Sequence, residues 1–194
     1  VIFLIYPSSV ESRLFRPLQQ FIQKESNEYH IPTSVVLDHG SSIAQIKSAL
    51  ESGFSGVMID GSSLPFEENV RLVKEVVSMA HPLGVSVEAE LGHVGEGNAI
   101  LSYKMRKEKF TDVDLVEEFV NRTGIDALAI AIGTAHGVYH FEPELDILRL
   151  QEIRARVDTA LVLHGSSGTP ESQLTAAVHN GIDKVNVYTD IRLK

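Results

Sequence analysis

Cysteine is missing altogether from the 194 residues. That excludes disulfides and thiolate metal sites, so any transition metal here must be held by His, Asp or Glu. Long apolar runs are missing too. The opening run, Val1 to Tyr6, is far short of the ~20 residues a membrane-spanning helix needs. Positive charge is scarce, with 17 Lys and Arg against 26 Asp and Glu for a net charge of −9. Self-repulsion of that sign argues against nonspecific partners such as nucleic acid or an anionic membrane. It leaves room for a small anionic substrate, because local backbone dipoles hold phosphate even inside an acidic protein. No secretory signal is visible, and the expected location is cytoplasmic. The chain opens on Val rather than Met, which points to a segment preceding it.

What is present is a core. Hydrophobic residues make up 43% of the chain, enough for one buried interior over residues 1–194. Seven β-rich runs follow in order: Val1–Tyr6, Ser34–Asp38, Gly56–Asp60, Val85–Glu90, Ala127–Gly133, Ala160–Gly165 and Lys184–Thr189. Most are continuously apolar rather than alternating, as expected of strands covered on both faces. Between them lie helical patterns over Ile43–Leu50, Glu67–His81 and Asp112–Thr123. Gly53, Gly84, Gly124 and Gly181 stand where left-handed helix C-caps are wanted. Thr169-Pro170-Glu171 reads as a helix start with Pro in the first position.

Strand–helix alternation at roughly 30 residues per unit predicts a parallel sheet. The expected fold class is α/β, a (β/α)8 TIM barrel, with the first βα unit and the C-terminal helices absent from this chain. A whole barrel of this kind runs to about 250 residues. An open doubly wound sheet is the alternative, but no GxGxxG follows the first run. One connection breaks the rhythm. Between Glu90 and Asp112 a long polar segment holds Gly92, Gly95 and Gly97, then Lys104, Arg106, Lys107 and Lys109. Such a loop reads as a lid or as a plain surface excursion.

Active sites of these barrels lie at the C-terminal strand ends. The polar residues expected there are Asp38 with His39, Asp60, Glu90, His136, His164, and Asn186 with Thr189. Of the eight histidines, His30, His81, His93, His140 and His179 fall elsewhere. A lone histidine at a strand end is more often structural. Three on one rim, with carboxylates and no cysteine, point to a catalytic Zn²⁺ with an open fourth position. Asp38, next to His39, would orient that ligand or act as a general acid/base. Counting the absent first unit, Leu163-His-Gly-Ser-Ser-Gly-Thr-Pro170 comes after the seventh strand of the barrel, and Asn186-Val-Tyr-Thr-Asp190 ends the eighth. Loops at those two places are the recurrent phosphate site of the fold.

Taken together, L-D-H-G at 37–40, G-V-M-I-D-G-S at 56–62, V-S-V-E-A-E-L-G at 85–92, I-G-T-A-H-G-V-Y at 132–139, L-H-G-S-S-G at 163–168 and N-V-Y-T-D at 186–190 resemble the class II, metal-dependent ketose-bisphosphate aldolases. The resemblance implies a lyase that reversibly cleaves a fructose- or tagatose-type ketose 1,6-bisphosphate between C3 and C4. The products would be dihydroxyacetone phosphate and glyceraldehyde 3-phosphate, as in glycolysis. It implies zinc on His39, His136 and His164, with Asp60 and Glu90 matching carboxylates of a second or displaced ion, divalent or monovalent. Asp38 matches the acid/base. Gly137, Gly165, Ser166, Ser167, Asn186, Val187, Tyr188 and Thr189 match the positions that hold the phosphorylated ketone. A homodimer or homotetramer is expected. A related aldolase acting on another phosphorylated keto sugar acid and a non-catalytic supporting subunit are the alternatives within the family.

Three positions depart from the family pattern. Ser166 stands where Gly or Ala is usual, and Tyr188 where Asn or Ala is common. The lid reads Gly95-Glu96-Gly97-Asn98-Ala99, so the position credited with proton transfer at the donor carbon falls on Asn98, with Glu96 as the nearby acid. A zinc hydrolase on the same barrel is a rival, but the His-x-His pair such enzymes carry on an early strand is absent. A Schiff-base lysine is the other aldol route. No lysine stands at the exit of an expected strand, since Lys184 opens its own.

Overall fold

The structure is a computed structural model, described here for residues 1–7, 12–96, 107–139 and 143–193. It divides into two compact units. The first comprises Val1–Ala89 with Thr123–Asp126, and the second Glu90–Arg122 with Ala127–Lys194. The expected lid residues Gly97, Asn98, Lys104 and Arg106, and also His140, lie outside the described residues.

In the first unit, β1 (Ile2–Ile5), β2 (Ser34–Gly40), β3 (Gly56–Ile59) and β4 (Ser86–Leu91) pair in parallel in that order, β4 running on into the second unit with Glu90 and Leu91. The helices α1 (Phe15–Tyr29), α2 (Ile43–Glu51) and α3 (Phe66–Ala80) connect them. Every residue of β3 is buried. A strand shielded on both faces has no reason to alternate, which is why its sequence reads as one apolar run. In α3, Val70, Val73, Val76 and Ala80 are buried at helical spacing. Ser42 caps α2, its hydroxyl accepting from the Gln45 N–H. Phe15 from α1 and Phe54 stack in a tilted pair with centroids 5.2 Å apart, and both are fully buried.

The second unit holds a parallel ladder of β6 (Ala127–Ile130), β8 (Ala160–Leu163) and β9 (Lys184–Val185). A separate two-stranded ladder joins β5 (Gly95–Glu96) to β7 (Ala135–His136). Around them run α4 (Val113–Thr123), α5 (Ile147–Arg154), α6 (Glu171–His179) and the short α7 (Thr189–Arg192). No helix among the described residues is long and apolar enough to cross a membrane.

Gly53, Gly84, Gly124 and Gly181 all take positive φ, as the helix ends require. The main departures lie at strand C-termini. The run expected as strand to Gly133 leaves the ladder after Ile130, because its polar groups find other partners. The Ala131 N–H donates to Thr111 Oγ1, and the Ala131 and Ile132 carbonyls accept from Thr111 and Asp146. The run expected over Lys184–Thr189 is a strand only to Val185 and turns into α7 at Thr189. Ser167 Oγ accepts there from the Tyr188 and Asp190 N–H groups, at 3.1 and 3.2 Å. Pro170 is the N-cap of α6 rather than its first residue. Its ψ of 137° is extended, and its carbonyl accepts from Leu174.

Truncating Phe54→Ala should cost about 3–5 kcal/mol of stability in urea unfolding, whereas exposed Phe21→Ala should stay within about 0.5 kcal/mol of the unmodified chain.

Candidate active site

Asp38 and His39 sit where β2 slips against β3. Leu37 pairs with Val57, but the next partner of Ile59 is Gly40, so one extra residue is accommodated at 38–39. A regular strand sends successive side chains to opposite faces, and a bulge re-aims one of them. His39 has φ of +49°, a left-handed conformation that costs energy for a residue with a Cβ and is characteristic of functional positions. Gly40 follows because a Cβ there would lie 2.7 Å from the Met58 carbonyl oxygen.

Asp60, just beyond β3, accepts a hydrogen bond from His39 Nδ1 at 2.8 Å and another from the Ser62 N–H at 3.0 Å. Burial alone would raise the Asp60 pKa. The hydrogen bonds from His39 and Ser62, with the His39 charge, outweigh it and hold the carboxyl well below the usual carboxylate range. With Asp60 ionised, the His39 proton stays on Nδ1, which puts the ring's metal-binding lone pair on Nε2. The Tyr6 ring meets the imidazole edge-on at 6.1 Å. Asp38 Oδ1 is buried with no hydrogen-bond partner among the described residues.

The second unit carries the other histidines. His136 ends β7 and His164 follows β8. Their rings meet edge to face with centroids 5.8 Å apart and an interplanar angle of 79°, and each brings a ring nitrogen within 4.8 Å of the other's. His164 is 1% exposed, and its Nε2 lies 3.1 Å from Asn186 Nδ2. Turning that amide over would let the otherwise unpartnered Oδ1 accept from an Nε2–H, leaving Nδ1 as the ligand atom. Glu90, at the end of β4, accepts from the Val94 N–H at 2.8 Å, and His93 Nδ1 stands 4.0 Å from it. In each unit the donor chemistry, imidazole and carboxylate without sulfur, suits a divalent ion of the zinc type, and His39 and His164 each have an outer hydrogen-bond partner.

Residues 1–194 match the family described as fructose-bisphosphate aldolase class-II. The chain belongs to that family. It is therefore placed among the aldolases, which are carbon–carbon lyases, and its parallel strand–helix units are part of their (β/α)8 barrel. The YdjI aldolase from Escherichia coli K12 is similar at 37% identity and a TM-score of 0.86, with 100% of this chain aligned on 67% of that one. A candidate fructose-1,6-biphosphate aldolase from Coccidioides immitis is similar at 30% identity and a TM-score of 0.78, covering 96% of this chain and 67% of that one. A fructose-bisphosphate aldolase from Campylobacter jejuni, at 21% identity and a TM-score of 0.81, shares the fold; there 100% of this chain covers 65% of its length. The chain thus spans about two thirds of these relatives.

The expected phosphate loops of this aldolase-family chain are stitched together. The Ser166 N–H donates to the Asn186 carbonyl, and its hydroxyl to the Leu163 carbonyl at 3.1 Å. Ser167, Thr169 and Asn186 are buried, and Gly137 takes φ of +87°. Tyr188 is 56% exposed, with the Arg192 guanidinium 5.9 Å from its ring centroid. Val187 is exposed too, and Thr189 opens α7. Tyr139 was legible only as part of a motif. Its hydroxyl accepts from the Ala135 N–H at 2.8 Å and donates to the Gly165 carbonyl at 2.7 Å. No local spacing signals a partner 26 residues away.

A carboxyl whose folded pKa lies below its unfolded value of about 3.9 stabilises fully above that value and loses its effect as pH falls through the folded one. The stability difference between the unmodified chain and Asp60→Asn should therefore persist from neutral pH to about pH 4 and narrow below it. Unfolding titrations across that range check this.

Proposed function

We propose that this chain is a zinc-dependent aldolase reversibly cleaving a ketose 1,6-bisphosphate of the fructose or tagatose type. Family membership supports the aldol chemistry. The observation that carries it to particular residues is the Asp38–His39 bulge, with His39 oriented by Asp60 and beside it a buried Asp38 oxygen that has no partner among the described residues.

His39, His136 and His164 would hold the ion. When bound, it supplies Lewis-acid polarisation of the ketose carbonyl and neutralises charge developing on that half of the substrate. Asp38 takes the proton of the C4 hydroxyl. The C4 oxygen then forms the aldehyde carbonyl, and the C3–C4 bonding pair passes to the dihydroxyacetone phosphate half, whose C3 takes up a proton from solvent as Asp38 gives its own up. In the reverse direction Asp38 returns that proton to the C4 oxygen. A buried carboxylate oxygen with no partner among the described residues suits that task. Ser167 Oγ accepts two backbone N–H groups, which leaves its own proton to be donated to a phosphate oxygen. The glycine and serine backbone of 165–167 and the 186–189 turn would complete the phosphate site, with Gly137 beside it.

The decisive experiment combines metal analysis with cleavage assays on fructose- and tagatose-bisphosphate, with and without chelator. Activity should vanish with the metal and return on adding zinc; activity surviving complete metal removal would overturn the mechanism. His136→Ala should abolish bound zinc. Asp38→Asn should keep it while kcat falls about 10²- to 10⁴-fold.

A further inference from the structure

We propose that Tyr139 is a positioning residue, whose hydroxyl ties the backbone carrying His136 to the backbone carrying His164 and so sets how tightly the two imidazoles hold a divalent cation. This rests on the zinc reading above.

The hydroxyl is used in both senses. It accepts from the Ala135 N–H at 2.8 Å and donates to the Gly165 carbonyl at 2.7 Å. Ala135 immediately precedes His136, and Gly165 immediately follows His164. One oxygen thus joins the two peptide segments from which the imidazoles project. Ala135 is 3% exposed, so its N–H has little recourse to solvent if that oxygen is removed.

The surroundings explain why such a tie is needed. His136 stands on a two-residue strand whose ladder partner is the equally short Gly95–Glu96 segment. So short a ladder restrains it weakly. Gly165, at φ of +63°, presses directly on Ala135, where a Cβ would lie 2.3 Å from the Ala135 oxygen. That contact stops the segments from moving closer. The Tyr139 bridge stops them from moving apart. The phenol ring is itself seated on Gly168, where a Cβ would meet Tyr139 Cδ2 at 3.2 Å. With approach and separation both limited, the imidazoles keep their edge-to-face arrangement at 5.8 Å. A metal ion rewards that preorganisation, because its ligands need not be gathered on binding.

The test is zinc affinity of the full chain, measured by competition with a chromogenic chelator, in Tyr139→Phe. Removing only the oxygen should weaken zinc binding about 10- to 100-fold, the usual range for loss of an outer-shell partner. Leu150→Ala, a fully buried truncation in α5, serves as the control for general loosening, with metal-free unfolding recorded for all three proteins. Weakened zinc binding in Tyr139→Phe beyond that of Leu150→Ala supports the inference. Unchanged affinity in Tyr139→Phe, or the same loss in both variants, overturns it while leaving the zinc reading intact. An unmodified chain that binds no zinc overturns both.

Discussion

The contact between Gly165 and Ala135 is the constraint around which the second unit is arranged. A side chain at 165 would fall 2.3 Å from the Ala135 oxygen and 2.5 Å from its carbonyl carbon, so glycine alone lets the two segments meet. Once they meet, His136 and His164 are neighbours through their flanking residues, and the Tyr139 hydroxyl can reach both backbones. The loop after His164 then closes on the turn after β9 through Ser166 and Ser167. Strand ends, histidine pair and candidate phosphate loops are thus one cooperative arrangement, in which disturbing one close approach disturbs the others.

The first unit solves a different problem. Asp38 and His39 are adjacent on β2, and a regular strand would face them oppositely. The extra residue in β2 and the left-handed His39 break that alternation, at a cost in backbone strain. The ionised Asp60 holds the ring in its strained setting. Because that carboxyl is stabilised well below its ordinary range, it serves as an acceptor throughout the physiological pH span, and the His39 tautomer is settled with it.

The acidic character of the chain and its proposed anionic substrate are compatible for a local reason. Net charge acts over the whole surface, where salt screens it within about 8 Å at physiological ionic strength. A phosphate group is instead gripped by oriented backbone and hydroxyl donors at short range. Ser167, with two N–H groups on its oxygen, has its proton left over for such a task.

Much of this was legible in the sequence, because its signals were local. Buried parallel strands announce themselves as apolar runs, helix ends as glycines that must turn left-handed, and Asp38, His39, His136 and His164 as polar residues at strand ends. The strands at Ala127–Gly133 and Lys184–Thr189 are shorter than their sequence runs, since apolar content persists after the ladder stops. What ended those strands were partners far along the chain, such as Thr111 for Ala131 and Ser167 for Tyr188. The same holds for the site. Residue types determined which chemistry is available, while the His39 bulge, the Asp60 hydrogen bond, the Gly165–Ala135 approach and the Tyr139 bridge were decided only by tertiary structure. Each depends on a distance between residues remote in sequence, and a propensity or a spacing carries no information about such a distance.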